Sequence, residues 1–514
     1  MNPVSFPKQG EVIQFIFDAL GVLPRKHEDD ASFDETRKKS TQKALQRLAL
    51  EEGTLDQRLG KMVQTLSYLV AGTIQLRECL ALGDILSDLF EIYQNTLRDE
   101  GTFLTKSDTV KWFLLTSAAF RLPISVAKHL QRYNVAADGL VTPADIYWYL
   151  PTKEPDGWIW PLEKVIRWAY QLAGISIQKF HCPDDAGHST QEQNYDNAKN
   201  WLAGRGLPSW PTLLKNFNQF FDTLDQSQAE GDRLPLSETQ KNSIRMALFA
   251  ARATTYISKS VLSHYGGAVL QEFCSRYHIV ADCVVEDVQK ISNCVQKIIT
   301  KQNISLSEQD RLWYDVCTDY WRQFAEHQHA VTQALDNKRI TNAEAVDITR
   351  GFGRLAILPF QKPEAFAPQH AMPAGFSEAI LDGLALRKSA DLNIEKIEAY
   401  AARLDDCGLR HVLPWMVPWQ LATYHYRAER YNDAYTFIRD AFEKAKYCAG
   451  RHQYILLNQY IELAAKNDKW RDFKRGIEWA TYLGFDVRWL RQDEPTTEKL
   501  RIVFEIMKKA VYAN

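Results

Sequence analysis

The sequence predicts an all-α protein of several helical subdomains, and three observations support this. Apolar residues recur at intervals of three and four almost from the start, as at Val12, Phe15, Ile16 and Ala19, which places them on one face of a helix. Runs of alternating apolar and polar residues, typical of half-buried strands, are nearly absent. At 514 residues the chain is also too long for a single core.

Helical periodicity continues along most of the chain. The first helix is expected to end at Gly21, and a polar helix is expected over residues 34–51. Residues 55–130 keep the helical pattern, with predicted breaks at Gly72, Gly83, Gly101 and Pro123. Two long helices are predicted over residues 237–301 and 307–335.

Two proline-rich stretches divide the chain. The first is Pro151–Pro161, and the second is Pro359–Pro373, where proline fixes φ and removes backbone donors. The predicted domains are an N-terminal helical domain (1–150), a helical region (151–235), a long-helix region (236–358), a linker (359–376) and C-terminal helical repeats (377–514).

Composition excludes several functional classes. The 62 basic and 64 acidic residues leave a formal charge of −2, which argues against a protein that coats nucleic acid or anionic membranes. The eight cysteines form no CxxC pair, and we expect reduced thiols and a cytoplasmic location. Residues 1–10 do not resemble a secretion signal, and no stretch approaches the roughly 20 apolar residues of a membrane span. Phosphate-binding glycine loops are absent, so no cofactor is predicted.

The C-terminal region resembles tetratricopeptide repeats. Residues 415–446 read as two antiparallel helices joined at residues 429–433, with a second, degenerate copy over residues 454–466 and 470–483. Small and apolar residues fall where that family needs closely packed helices, at Leu421, Ala422, Ala434, Ile438 and Ala441. Phe473 occupies a position where alanine is expected. The resemblance implies an α-solenoid that binds a protein partner, although a plain helical bundle is the alternative.

Aromatic residues near the start of these repeats suggest where a partner binds. We expect a concave surface formed by Trp415, Trp419, Tyr424 and Tyr426, since aromatic side chains dominate many protein interfaces. The alternative is that aromatic residues at helical spacing belong to the core.

The order of Trp201, Gly204, Pro208 and Leu213 resembles the end of a repressor-type helix-turn-helix domain. The segment Leu172–Ser176 resembles the glycine turn that precedes the recognition helix in that family. The resemblance implies that a helix over residues 189–203 contacts duplex DNA. Its DNA-binding residues would be Asn194, Asn197, Lys199, Asn200 and Arg205.

The sequence departs from that family because residues 177–190 separate the glycine turn from the helix. The alternative is an ordinary structural helix, with Ser189 and Glu192 as its capping box and Gly204 as its end.

A second functional motif is Arg322 followed by His327 within a predicted helix. The pair resembles the motif of HEPN-type ribonucleases, which implies metal-independent RNA cleavage, with arginine stabilising phosphate charge and histidine moving a proton. The alternative is a solvated pair on an amphipathic helix.

Two further groups are set aside. One polar segment could ligate a metal but is better explained as an exposed loop, and no metal site is predicted there: His181, Cys182, Asp184, Asp185 and His188. Asn432, Thr436 and Asp440 imitate a terpene-cyclase metal motif, but the repeats already account for that helix. The predicted function is therefore a non-enzymatic interaction protein or regulator with a protein partner, duplex DNA as a further partner, and no membrane contact.

Overall fold

The computed structural model describes residues 7–22, 73–100, 106–136, 139–180, 191–229, 236–363, 373–490 and 496–509. Helices account for 77% of these residues, which confirms the all-α class. Within the described ranges the strands are β1 (Thr152–Glu154) and β2 (Gly157–Ile159), which form one antiparallel hairpin. The polar helix predicted over residues 34–51 lies outside the described residues.

The helices of the first half of the chain are numbered in chain order. They are α1 (Gln9–Leu20), α2 (Leu76–Glu100), α3 (Lys106–Arg132), α4 (Pro161–Leu172), α5 (Gln191–Leu202), α6 (Trp210–Ala229), α7 (Glu238–Tyr265) and α8 (Gly267–Gln302). Helix α3 contains a π-helical stretch, Phe113–Ala118.

The second half continues with ten helices among the described residues. They are α9 (Leu306–Asp336), α10 (Asn342–Thr349), α11 (Arg354–Gln361), α12 (Phe376–Lys388), α13 (Ile394–Asp406), α14 (Met416–Arg427), α15 (Tyr431–Ala445), α16 (Gln453–Lys466), α17 (Trp470–Leu483) and α18 (Thr497–Lys509).

Several predicted helix breaks are wrong. Gly83 lies inside α2, Pro123 inside α3 and Pro359 inside α11. Each helix packs against other helices, and this burial outweighs the local cost of a glycine or proline. The stretch predicted as one helix over residues 237–301 is instead two, separated at Gly266, where φ is +86°.

One apolar core spans the first three predicted domains. It contains Ile13 from α1, Phe90 from α2, Ile166 from α4, Phe217 from α6 and Leu248 from α7. The boundaries predicted at residues 150 and 235 therefore do not separate independent cores.

A second core joins α3 to the long helices α8 and α9 and to α11. Its most buried members include Val280, Val295, Cys317 and Leu355. Cys317 packs as a small apolar residue, as expected, whereas Cys294 is exposed on α8.

The third core belongs to the C-terminal helices. In this region each helix packs against the next, and α12 against α14 and α16 against α18 as well. Residues between these helices, such as Trp415 and Tyr460, are 0% exposed. We call residues 376–509 the C-terminal array.

Helices α2 and α3 each contribute to two cores. Phe90 of α2 lies in the first core, while Tyr93 and Leu97 of the same helix lie in the C-terminal one. Trp112 of α3 also packs into the C-terminal core, whereas Ile124 packs against the second core. The C-terminal array is thus joined to the rest of the molecule through shared apolar surfaces.

Candidate protein-interaction surface

The C-terminal array repeats one turn. Glu429, between α14 and α15, and Asp468, between α16 and α17, both have a φ of +58° and lie 39 positions apart. At the first turn the Arg430 N–H donates to the His425 carbonyl at 3.0 Å, and at the second the Lys469 N–H donates to the Ala464 carbonyl at 2.8 Å. The hairpins α14–α15 and α16–α17 therefore have the same turn geometry.

Polar contacts join the two hairpins. Asn467 donates from its side chain to the Tyr431 carbonyl at 3.0 Å, and the Arg475 guanidinium lies 2.7 Å from the Glu443 carboxylate. Tyr426 donates to Glu462 at 2.6 Å. Burial raises the pKa of Glu462, although the Tyr426 hydroxyl offsets part of that effect.

Four of the five residues predicted from the repeat pattern lie in the core, and the fifth, Leu421, is half-buried. Ala422, Ala434, Ile438 and Ala441 are each 0% exposed. In the second hairpin, Phe473 stands where alanine is expected and packs between Trp470 and Phe504. In this hairpin α17 approaches α16 closely at Gly476, where an added Cβ atom would lie 2.5 Å from Cγ1 of Ile461. Membership of the tetratricopeptide family stays a prediction.

Two of the predicted partner-binding residues are core residues. Trp415 and Trp419 are both 0% exposed, so the prediction that they form a binding surface is wrong for this conformation. The Trp419 indole donates to Gln459 at 2.8 Å, and the Arg387 guanidinium lies 4.2 Å from its ring centroid. The position of the two tryptophans on a predicted helix did not show that neighbouring helices bury them.

Tyr424 and Tyr426 are half-buried. Arg430 lies over the Tyr424 ring at 5.1 Å, and the Tyr426 hydroxyl is bound to Glu462. Both tyrosines keep an exposed edge, so a contact with a partner stays a prediction for them.

The helix predicted to read DNA is present as α5. Its buried face contains Ala198 and Trp201, and it ends at Gly204, where φ is +63° and a Cβ atom would lie 2.9 Å from the Trp160 ring. Gly174 likewise ends α4 with a φ of +66°. The glycine turns are therefore as predicted, but 18 residues separate α4 from α5, far more than the three or four of a helix-turn-helix.

The proposed DNA-contacting residues do not share one face of α5. Asn197, Lys199 and Arg205 are exposed, while Asn194 and Asn200 are half-buried. At about 100° per residue, Asn197 and Lys199 point in directions about 160° apart. DNA binding stays a prediction, and one groove could not engage all five side chains at once.

Arg322 and His327 of α9 are not brought together. Five helical positions place them about 140° apart around the axis. Arg322 is held by Asp319 at 2.6 Å and by Glu326 at 2.8 Å. His327 stacks on Phe352 with a centroid separation of 4.1 Å, and burial lowers its pKa.

We expect the full-length protein to leave single-stranded RNA intact in metal-free buffer. Arg322 is neutralised by two carboxylates and faces away from His327, so the two cannot act on one phosphate. The measurement is gel analysis of a fluorescent RNA incubated with wild type, Arg322→Ala and His327→Ala. Cleavage by the wild type that disappears in His327→Ala would establish the ribonuclease interpretation instead.

The remaining sequence motifs carry no site in the described ranges. The polar segment at residues 181–190 lies outside the described residues, and among those that are described no group of three His, Cys, Asp or Glu side chains could hold a metal. Thr436 donates to the Asn432 carbonyl at 3.1 Å, and Asp440 pairs with Lys444 at 2.7 Å. Both contacts lie within α15.

Sequence reasoning missed a buried polar cluster between α2 and α3. His129, 2% exposed, lies with Nε2 2.9 Å from Asp88 and Nδ1 3.3 Å from Asp84. Lys128 and Ser125 also donate to Asp88, each at 2.9 Å. Burial alone would raise the pKa of Asp88, but the hydrogen bonds from His129 and Lys128 outweigh it and lower that pKa to about 2. The only feature of the local sequence that indicates this cluster is the spacing of Asp84 and Asp88, which lie about one helical turn apart.

Replacing Asp88 by asparagine is expected to cost about 2 kcal/mol of unfolding free energy near pH 7. The carboxyl has a folded pKa of about 2, below its ordinary value of 3.8, so the ionised form stabilises the fold above about pH 4. That contribution is lost as the pH falls from about 4 to about 2. Urea unfolding of wild type and Asp88→Asn from pH 7 to pH 3 measures it, with Asp315→Asn as an exposed control. A stability difference that stays constant with pH would contradict this assignment.

A second missed cluster attaches residues 139–150 to α4 and α8. The Tyr147 hydroxyl donates to Asp282, and its ring lies 4.2 Å from that of His278. Lys164 of α4 pairs with Asp145 at 2.9 Å. Burial lowers the pKa of His278, in keeping with a neutral, structural imidazole.

One helix among the described residues, α3, is long and apolar enough to cross a membrane by length and composition alone. It packs against α2, α8 and α9. The expectation that no stretch meets this criterion is therefore corrected.

Comparison with known proteins identifies no relative. No protein-family model, no curated protein and no solved structure matches this chain significantly.

Proposed function

We propose that this protein is a non-enzymatic interaction protein that holds a protein partner on its C-terminal array. The observation that supports the proposal is a pair of helical hairpins, α14–α15 and α16–α17, that have the same turn geometry 39 positions apart and pack against each other. Stacked hairpins of this kind form extended surfaces for binding. The exposed side chains can differ from one hairpin to the next while the core residues stay similar. Such surfaces are used for binding far more often than for catalysis.

The exposed residues of the array fit this role. Large apolar side chains face solvent on three of its helices: Leu381 is 64% exposed, Ile455 47% and Ile502 56%. Each of these side chains lies on a helix that packs against neighbouring helices of the array, so it is held by a packed element. A preorganised surface loses less entropy when it binds.

DNA contact through α5 is not the function that the geometry favours. Glu192 and Asp196 are exposed on the outward side of this helix, and Lys199 lies 3.7 Å from Asp196. Carboxylates at this position would oppose the phosphate backbone.

The test is site-specific photocrosslinking in cells of the full-length protein. A photoreactive residue is placed at Leu381, Ile455 or Ile502 of the array, and at Val285 or Ile348 as controls of similar exposure (55% and 53%) outside it. A discrete protein adduct at one or more array positions and at neither control supports the proposal. Adducts at the controls alone, or equal adducts everywhere, would overturn it.

A nuclease arm separates the DNA-binding alternative. Adducts formed through the array should survive nuclease treatment and should be unchanged in Lys199→Glu/Arg205→Glu protein. Adducts that need nucleic acid and disappear in this double variant would show that α5 contacts DNA after all.

A further inference from the structure

The outward side of α12, the first helix of the C-terminal array, carries four residues in a regular order. Glu378, Leu381, Ala385 and Lys388 are all exposed, and Leu381 is 64% exposed. At about 100° per residue they fall within roughly 80° of one another around the helix axis. From its N-terminal to its C-terminal end this side of the helix is acidic, apolar, apolar and basic. We call these four residues the α12 stripe.

The opposite side of α12 fixes the position of the stripe. Phe376 and Ala379 are buried in the C-terminal core. The Ala379 carbonyl accepts a hydrogen bond from the Tyr400 hydroxyl at 2.8 Å, and the Gly383 carbonyl accepts one from the Gln420 side chain at 3.0 Å. Helix α12 is therefore bound to both α13 and α14, and its backbone does not have to become ordered when a partner binds.

The two charges of the stripe have no partner within the described part of the chain. Among the residues that the structure describes, none makes an ion pair or a side-chain hydrogen bond with Glu378 or Lys388. The nearby carboxylate of Asp382 differs, because the Arg403 guanidinium lies 2.6 Å from it. One unpaired charge of each sign, at opposite ends of an apolar pair, is thus available to another molecule.

The order of these residues makes the stripe complementary to itself. We consider two copies of α12 packed antiparallel, with position 383 of one helix beside position 383 of the other. Glu378 of each copy then faces Lys388 of the other copy, and Leu381 faces Ala385. A large side chain meets a small one, and the spacing of three, four and three residues is that of helices whose side chains interdigitate. The apolar residues and both charges are therefore matched in one register.

We propose that this protein forms a two-fold symmetric dimer in which the α12 stripe packs against the α12 stripe of a second copy. Two-fold dimers built from one self-complementary patch are the commonest soluble oligomers. Beside the stripe, the Asp382 carboxylates of the two copies approach each other, and Arg403 offsets the charge of each. One helix pair buries an area at or below about 1,200 Å², which is the range of weak and transient complexes. The inference goes beyond the proposed function, because it does not require that a different protein binds.

Helix α18, at the other end of the array, is a poorer candidate for such a pair. Ile502 and Ile506 are exposed on its outward side. An antiparallel pair that brings these isoleucines together places Lys499 opposite Lys509 of the second copy. It also brings the two copies of Glu505 close to each other, and among the described residues no ion pair offsets this charge. Like charges that face each other oppose association, so the charges favour α12.

The experiment is sedimentation equilibrium of the full-length protein between about 1 and 200 μM. The average mass is expected to rise from that of one chain towards that of two as the concentration increases. A mass that stays at one chain throughout this range would overturn the proposal, as would growth beyond two chains.

Exchange of the charges tests the register. Glu378→Lys and Lys388→Glu each place like charges opposite each other at both ends of the pair, so each should weaken the dimer about tenfold or more. The double variant Glu378→Lys/Lys388→Glu places opposite charges together again and should dimerise like the wild type. A double variant that is as weak as the single ones refutes the antiparallel α12 pair.

Two further variants identify the helix. Leu381→Glu puts a carboxylate in the centre of the stripe and should weaken the dimer about tenfold or more, whereas Ile502→Glu on α18 is the matched control and should leave it unchanged. Dissociation by Ile502→Glu, or no effect of Leu381→Glu, would show that the inference is wrong. The proposed function is decided separately, by crosslinks to a different protein at Ile455 or Ile502, and it stands if the dimer is absent.

Discussion

Replacing Trp419 by alanine is expected to destabilise the C-terminal array by about 3–5 kcal/mol. The side chain is 0% exposed, its indole N–H binds Gln459 at 2.8 Å, and the Arg387 guanidinium lies over its ring. Truncation removes a large apolar volume from between α12, α14 and α16 and leaves the half-buried Gln459 acceptor without its donor. Chemical denaturation followed by circular dichroism measures the loss.

Tyr454→Ala is the control for this variant, because Tyr454 is an aromatic residue of the same array that is 43% exposed. Its unfolding free energy should change by less than about 1 kcal/mol. If Trp419→Ala unfolded like the wild type but lost a protein partner, Trp419 would be a binding residue after all.

The second large effect is expected for Arg252→Met. Arg252 of α7 is 6% exposed and donates to the Asp18 carbonyl at 2.6 Å, to the Pro208 carbonyl at 2.9 Å and to the Ala19 carbonyl. Two of these acceptors are carbonyls at the C-terminal end of α1, where a cation is favoured by the helix dipole. Methionine fills the volume but leaves the carbonyls buried without a donor, so we expect a loss of roughly 3–5 kcal/mol.

Hydrogen exchange followed by mass spectrometry shows which helices lose stability in this variant. Protection should decrease first in α1, since Arg252 of α7 donates to two carbonyls of its last turn. Arg311→Met, at an arginine that is 87% exposed on α9, should leave exchange and stability unchanged. Equal effects of the two substitutions would show that Arg252 contributes no more than a surface residue.

The fold class could be predicted because helical periodicity is a local property. The spacing of Val12, Phe15, Ile16 and Ala19 is visible without knowledge of any other segment, and α1 is present where it predicts a helix. The helix breaks predicted at Gly83, Pro123 and Pro359 are wrong. The free-energy cost of one glycine or proline is small compared with the free energy gained when a whole helix face is buried.

Burial was harder to predict than periodicity. The tryptophans at 415 and 419 lie on a helix that is surrounded by α12, α13, α15 and α16, and no pattern in residues 415–427 reveals how many neighbours a helix has. The cluster of His129 with Asp84 and Asp88 depends on side chains about 40 positions apart in the chain.

The sharing of α2 and α3 between cores has a consequence for how this protein could have evolved. Repeat arrays are often exchanged between proteins by recombination, because the array folds without its host. Here Tyr93, Leu97 and Trp112 supply part of the C-terminal core from outside it. A recombined array would lose these side chains and expose the apolar surface they cover, which favours self-association. We therefore expect the array and the helices before it to be inherited together, and to change by substitution at exposed positions rather than by exchange of the whole segment.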